Sequence, residues 1–97
     1  MVFSFGKVID LMKVDSSIKF QRRGWNGKGM YIFYVREEHK IIMKGNPLDR
    51  IYVEGTEVKQ QPYIAMKTVD DTIIPWLASQ SDMLADDWEI FGGTKSE

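Results

Sequence analysis

Residues 30–35 read Met-Tyr-Ile-Phe-Tyr-Val, an unbroken run of apolar and aromatic side chains. Successive side chains of a strand point to opposite faces, so this run predicts a strand that is hydrophobic on both of them. A small domain can bury one such face against its own core. Something else must cover the second face.

The segments before this strand carry clearer periodic patterns. Ser4 is placed to cap a helix whose apolar side chains recur at i, i+3, i+4 and i+7, namely Phe5, Val8, Ile9 and Met12. Residues 18–23 alternate apolar and polar side chains, which predicts a half-buried strand. The three glycines in residues 24–29 indicate a tight loop between that strand and the next.

The segments after the strand are less regular. Residues 37–61 are more polar and contain Gly45, Pro47 and Gly55, so we expect an inserted excursion with one short strand at residues 50–53. Residues 63–68 and 72–74 resemble a hairpin, and the adjacent carboxylates Asp70 and Asp71 suit its turn better than an acid–base pair.

The C-terminal part combines a capped helix with a last strand. Ser79 and Asp82 have the spacing of a capping box, which predicts a helix over residues 80–86. Residues 88–91 then form a final strand. The elements predict an α+β fold, a small antiparallel sheet with an N-terminal helix and a short C-terminal helix in a single domain.

Size and charge narrow the function classes. The chain has 97 residues, 43% of them hydrophobic, which suits one domain over residues 1–91, followed by a flexible tail at residues 92–97. A net charge of −1 does not favour a nucleic acid polymer as partner, and no apolar run is long enough to span a membrane. The absence of cysteine removes disulfides and thiolate metal sites and fits an intracellular protein.

Two tryptophan-centred blocks carry the functional signal, residues 24–29 around Trp25 and residues 75–88 around Trp76 and Trp88. An indole offers a face on which a nucleobase stacks, and nearby polar groups can select its edges. The polar neighbours are Asn26, Ser79, Gln80 and Asp82, and the cations that suit a phosphate are Arg22, Arg23 and Lys28. The blocks therefore describe a nucleotide-sized recognition surface without a catalytic constellation.

Structural explanations compete with this hypothesis. Tryptophans in small domains are usually core anchors, as we expect for Trp88, and Asp82 can simply cap its helix. Asp82 and Asp86 would share one face of the predicted helix, where a solvated acidic surface is favoured over a metal site. Met83 is expected to fill the core, with a place beside a pocket near Trp76 as the alternative. His39 has no partner in the local sequence and is expected at the surface.

Three stretches of the sequence carry a family resemblance: residues 23–30 (RGWNGKGM), 65–67 (AMK) and 75–88 (PWLASQSDMLADDW). Together they resemble the Thoeris anti-defence family of the second-named type, whose members are small viral domains. The resemblance implies an α+β homotetramer that acts in the cytoplasm of the infected bacterial host. It also implies a molecular sponge, which binds the immune signal glycocyclic ADP-ribose without cleaving it. Some relatives are thought to bind cyclic dinucleotides as well. A partner subunit would then cover the second face of the strand at residues 30–35.

We hypothesise that two subunits build each ligand pocket, with no catalytic residue, metal or cofactor. Its expected ligand-binding residues are Arg23, Trp25, Asn26, Lys28, Trp76, Ser79, Gln80, Asp82 and Met83. Two other functions remain open: a hydrolase of the same signal that uses Asp82 or Asp86, and an adaptor that inhibits a host enzyme through its apolar strand and tryptophans.

Overall fold

The computed structural model of the chain describes residues 1–92. The predicted tail, apart from Gly92, lies outside these residues. The helices and strands are α1 (Phe5–Val14), β1 (Phe20–Arg22), β2 (Tyr31–Val35), β3 (Glu38–Ile41), β4 (Glu57–Gln60), β5 (Tyr63–Lys67), β6 (Ile73–Pro75), α2 (Gln80–Leu84) and β7 (Trp88–Ile90). Short 3-10 helices occupy Arg23–Trp25 and Pro47–Arg50.

The main sheet has five strands in the order β6-β5-β2-β1-β7, and all neighbours are antiparallel. The run at residues 30–35 forms its central strand, since β2 pairs with β5 on one side and with β1 on the other. Together with one helix before the sheet and a short one near the C-terminus, this confirms the predicted α+β fold class.

One face of the sheet packs on α1 and forms the core. The fully buried side chains there are Val8, Met12, Phe20, Ile32 and Trp88. The Ser4 hydroxyl accepts a hydrogen bond from the Lys7 amide at 3.2 Å and caps α1 as predicted. Burying a large apolar side chain contributes about 1.5 to 3 kcal/mol, so these five residues dominate the stability of the fold.

The opposite face of the sheet, which we call the back face, carries Tyr31, Phe33, Val35 and Phe91. The Tyr31 and Phe91 ring centroids lie 4.6 Å apart, and Lys19 Nζ sits 5.0 Å from the Tyr31 centroid. All four side chains are only half-buried. The prediction of a strand that is hydrophobic on both faces is confirmed, and the described residues leave its second face partly exposed.

Residues 37–61 form an arm whose structure differs from the prediction. The expected strand at residues 50–53 is wrong, because the arm is a two-stranded sheet of β3 and β4. Asn46 Oδ1 instead accepts the Leu48 amide at 2.8 Å and Pro47 begins a 3-10 helix, which turns the chain before residue 50. His39 is exposed, as predicted, and its ring lies 3.1 Å from a Glu57 carboxylate oxygen.

The predicted hairpin at residues 63–74 is confirmed by β5 and β6. The Thr68 amide donates to the Thr72 carbonyl at 2.8 Å, and Asp71 takes a left-handed conformation at φ 64° in the turn. Pro75 lacks an amide hydrogen, so it weakens the outer edge of β6 as a template for another strand. Among residues 1–92, no helix has the length and apolar character that crossing a bilayer requires.

Candidate ligand-binding site

The two tryptophan blocks meet on one buried ring. Trp88 is fully buried, and the rings of Trp25 and Trp76 pack edge-on against it at centroid distances of 5.3 and 6.0 Å. Trp25 and Trp76 are themselves half-buried. Each therefore combines the two roles that the sequence left open, a packed anchor and a partly exposed aromatic surface.

Trp76 is held at the end of the hairpin by two kinds of contact. Its backbone amide donates to the Ile64 carbonyl at 3.0 Å, which extends the pairing of β5 and β6 by one residue. Its ring lies 6.0 Å from the ring of Phe5 on α1. The sheet and the first helix thus fix this indole together.

The start of α2 lies close by and is exposed to solvent. The Ser79 hydroxyl accepts the Asp82 amide at 3.1 Å, and Asp82 Oδ2 accepts the Ser79 amide at 3.3 Å, which confirms the capping box. Ser79 and Gln80 are exposed at this end. Met83 is 46% exposed, so the expectation that it fills the core is wrong.

The helix is also shorter than predicted. It ends at Leu84 because Ala85 adopts an extended conformation with ψ 147°. Asp86 therefore lies beyond the helix, and the prediction that Asp82 and Asp86 share a helix face is wrong.

The loop around Trp25 presents its polar side chains to solvent. The chain makes a 3-10 turn at Arg23–Trp25 and then passes through left-handed conformations at Asn26 (φ 59°) and Gly27 (φ 65°). Asn26 and Lys28 are exposed on this turn. They therefore flank the indole without being used in its packing.

Arg22 connects this loop to α2. Its Nη1 contacts Asp82 Oδ1 at 2.9 Å and its Nε contacts Asp87 Oδ1 at 2.9 Å. The other oxygen of Asp87 accepts the Gly24 amide at 3.0 Å. Sequence reasoning considered Arg22 only as a phosphate ligand. The available signal was its place two residues after Phe20, on the core side of an alternating strand.

The Arg23 side chain lies on the opposite face of the sheet from that of Arg22. Arg22 pairs with Trp88 across β1 and β7, whereas the Arg23 Nε contacts Glu89 Oε1 at 3.0 Å. Glu89 follows Trp88 and so belongs to the opposite face of β7. The other predicted ligand-binding residues belong to the two blocks that meet on Trp88, namely Trp25, Asn26, Lys28, Trp76, Ser79, Gln80, Asp82 and Met83.

Comparison with known proteins identifies the family of this chain. A family model described as a Thoeris anti-defense 2-like domain matches residues 3–91. The chain is also 31% identical to Thoeris anti-defense 2 of Bacillus phage SP01 over 90 residues, 90% of this chain and 92% of that protein. The chain belongs to the Thoeris anti-defense 2-like family. The resemblance drawn from the three sequence stretches is thereby confirmed.

The limits of the Thoeris anti-defense 2-like domain coincide with the packed part of the chain. It begins at Phe3, whose amide donates to the Trp88 carbonyl at 2.7 Å, and it ends at Phe91, which packs on Tyr31. Both tryptophan blocks lie inside it. Family membership supports a phage anti-defence role against Thoeris.

A cavity on the arm of this Thoeris anti-defense 2-like domain is a poorer candidate site. An open cavity of about 520 Å³ lies at the tip of the arm, but its lining of Gly45, Asn46, Pro47, Asp49 and Arg50 offers no aromatic face for stacking. Within residues 1–92, the His, Asp and Glu side chains form no group that could hold a metal ion.

The ion pair between Arg22 and Asp87 predicts that the stability of the fold depends on pH. The hydrogen bond from Arg22 holds the pKa of Asp87 below its ordinary value of 3.8, so the unfolded state binds the proton more readily. The stabilisation from Asp87 is thus present above pH 3.8 and is lost as the pH falls through the lower, folded pKa. We expect urea denaturation below pH 3.8 to show a steeper loss of stability in the unmodified chain than in Asp87→Asn. Equal slopes would show that this ion pair does not contribute.

Proposed function

We propose that this protein binds and sequesters a cyclic nucleotide immune signal, glycocyclic ADP-ribose or a cyclic dinucleotide, in the cytoplasm of the infected bacterium and without degrading it. The observation that carries this proposal is the meeting of two half-buried indoles on Trp88, beside a polar loop and an exposed helix start. The family name supports the anti-defence role.

The proposed contacts follow from the side chains available around the indoles. Trp25 and Trp76 form the apolar walls of the pocket, and Met83 borders it. Hydroxyls and base edges are read by the polar side chains Asn26, Ser79, Gln80 and Asp82. Lys28, which is exposed on the Trp25 loop, balances the pyrophosphate charge through charge-assisted hydrogen bonds, whereas Arg23 faces Glu89 on the other side of the sheet.

The affinity that a sponge requires favours a pocket shared between subunits. Nanomolar binding corresponds to about −12 kcal/mol, whereas a base stacked on one aromatic ring contributes about 1 to 3 kcal/mol. Two half-exposed indoles on one subunit therefore fall short. A second copy over the tryptophan side would enclose the ligand and exclude water.

A homotetramer follows if the back face is also covered by a copy of the chain. One isologous interface over the tryptophan side and a second over the back face give a closed assembly of four subunits with dihedral symmetry when their two-fold axes intersect at right angles. The half-buried rings of Tyr31, Phe33 and Phe91 supply the apolar centre that the second interface needs.

The tetramer can be tested at Phe33. We expect Phe33→Glu to convert the tetramer into dimers, because a carboxylate at the centre of the back face would be buried without a partner. Ile51→Glu is the matched control, since Ile51 is 73% exposed on the arm. Native mass spectrometry measures both variants. A Phe33→Glu protein that remains tetrameric would contradict the proposed interface.

The hydrogen bonds of the Asp82 carboxylate support capture rather than hydrolysis by this residue. Both Asp82 oxygens accept hydrogen bonds, from Arg22 and from the Ser79 amide. General acid–base catalysis requires a carboxyl group that is free to exchange a proton with the substrate.

The function is tested by calorimetry with purified cyclic ADP-ribose isomers and cyclic dinucleotides, followed by heat denaturation and mass analysis of the released compound. We expect at least one of them to bind and to be recovered intact. A released compound of altered mass would support the hydrolase. If none of these compounds gives a heat of binding or stabilises the protein against heat, the proposal is wrong. Capture of a host protein by the ligand-free tetramer would favour the adaptor.

A further inference from the structure

One guanidinium joins the three segments that build the candidate site. Arg22 lies at the end of β1, Asp82 in α2, and Asp87 in the turn before β7. Asp87 in turn holds the backbone of the Trp25 loop through the Gly24 amide. The arginine and both carboxylates are mostly buried, with side-chain exposures of 21%, 15% and 31%.

The backbone carbonyls of the same two aspartates also accept hydrogen bonds, one of them from the buried indole. Trp88 Nε1 donates to the Asp82 carbonyl at 3.0 Å, and the Arg23 amide donates to the Asp87 carbonyl at 3.1 Å. A shift of α2 or of the turn at Asp87 would therefore also disturb the ring on which Trp25 and Trp76 pack.

Local interactions alone do not fix the position of α2 or of the Trp25 loop. A five-residue helix is too short to be stable alone. The Trp25 loop contains two consecutive left-handed residues, Asn26 and Gly27, and ends at Gly29 with φ 84°. Their relative position thus depends on tertiary contacts, and the Arg22 bridge is a charged contact that reaches both segments.

We propose that Arg22 is the positioning residue of the ligand site, which fixes the Trp25 loop against the start of α2 before the ligand arrives. This inference rests on the proposed function and deepens it. Arg22 acts through Asp82 and Asp87 and needs no contact with the ligand. A site that is already ordered loses less conformational entropy on binding, and this difference appears as affinity.

Both the shape and the charge of arginine matter here. The planar guanidinium presents separate N–H groups to the two carboxylates, whereas a lysine ammonium is a point charge on a flexible stem. Without a cation between them, Asp82 and Asp87 would repel each other, and α2 would move away from the turn. Lysine should preserve the charge balance and lose the fixed geometry.

The test compares Arg22→Lys and Arg22→Gln with Arg36→Gln, a control that removes the same charge from an exposed position just after β2. In the ligand-free protein we measure hydrogen exchange of the Gly24 amide and the indole N–H resonance of Trp88. We expect both Arg22 variants to shift this resonance and to speed exchange by about tenfold or more, which corresponds to losing one hydrogen bond to a charged group. Arg36→Gln should change neither.

Calorimetry with the cyclic ADP-ribose isomer that binds the unmodified chain completes the test. We expect Arg22→Lys to weaken binding by about tenfold or more, because preorganisation is lost. Combining Arg22→Gln with Asp87→Asn should weaken binding by less than the product of the single effects, since both break one network. If Arg22→Gln does not fold, Arg22→Lys and Asp87→Asn carry the comparison.

Two results for Arg22→Lys would overturn the inference. In the first, the exchange of the Gly24 amide and the Trp88 indole resonance are unchanged. In the second, both of these change while the affinity for the ligand stays the same. If no isomer or dinucleotide binds the unmodified chain, the proposed function fails. The exchange and resonance measurements still decide whether Arg22 positions the loop.

Discussion

Replacing Trp88 with alanine is expected to lower the free energy of unfolding by about 3 to 5 kcal/mol, the range for truncating a buried aromatic ring. Trp88 is fully buried, and its ring packs against those of Trp25, Trp76 and Phe5. Its indole nitrogen also donates to the Asp82 carbonyl. The substitution would leave a cavity where the two blocks, α1 and the sheet meet. Urea denaturation followed by far-ultraviolet circular dichroism measures the loss.

Leu77→Ala is the control for this experiment, because Leu77 is 92% exposed in the same sequence block. We expect it to change the free energy of unfolding by less than about 0.5 kcal/mol. Trp88→Phe should fall between the two, since it keeps a ring and loses the hydrogen bond. All variants are compared at one protein concentration because association adds to apparent stability. A loss below 1 kcal/mol in Trp88→Ala would contradict the central role of this ring.

The parts of the fold that sequence predicts are those determined by local chemistry. The Ser79–Asp82 capping box needs only residues three apart, and the hairpin ending at β6 needs only a turn between two apolar runs. The two hydrophobic faces of β2 follow from composition alone. These predictions therefore require no knowledge of tertiary contacts.

The missed features depend on distant partners. β3 and β4 are rich in charged residues, so their sequences carry little strand signal until the two pair across the arm. Arg22 and Asp87 are 65 residues apart, and only the pairing of β1 with β7 brings them together. The alternation of residues 18–23 places Arg22 and Arg23 on opposite faces, but it does not indicate which carboxylates they meet. The proposed ligand class comes from the family resemblance, because local chemistry leaves it open.

Removing both partly exposed indoles should have the largest effect on ligand binding. We expect Trp25→Ala combined with Trp76→Ala to weaken binding of a cyclic ADP-ribose isomer by at least about 30-fold, because each base stack contributes about 1 to 3 kcal/mol. Each single variant should lose about fivefold or more. Calorimetry measures the affinities. Circular dichroism checks that the variants remain folded, since both rings also pack on Trp88.

Phenylalanine and leucine variants separate stacking from packing at these positions. Trp25→Phe and Trp76→Phe keep a flat ring and should bind more tightly than the leucine variants, which fill space without an aromatic face. Tyr52→Ala is the control, because Tyr52 is a 40% exposed aromatic residue on the arm. Equal affinities for the phenylalanine and leucine variants would mean that the indoles serve only as anchors for Trp88. The ligand would then have to be held elsewhere on the domain.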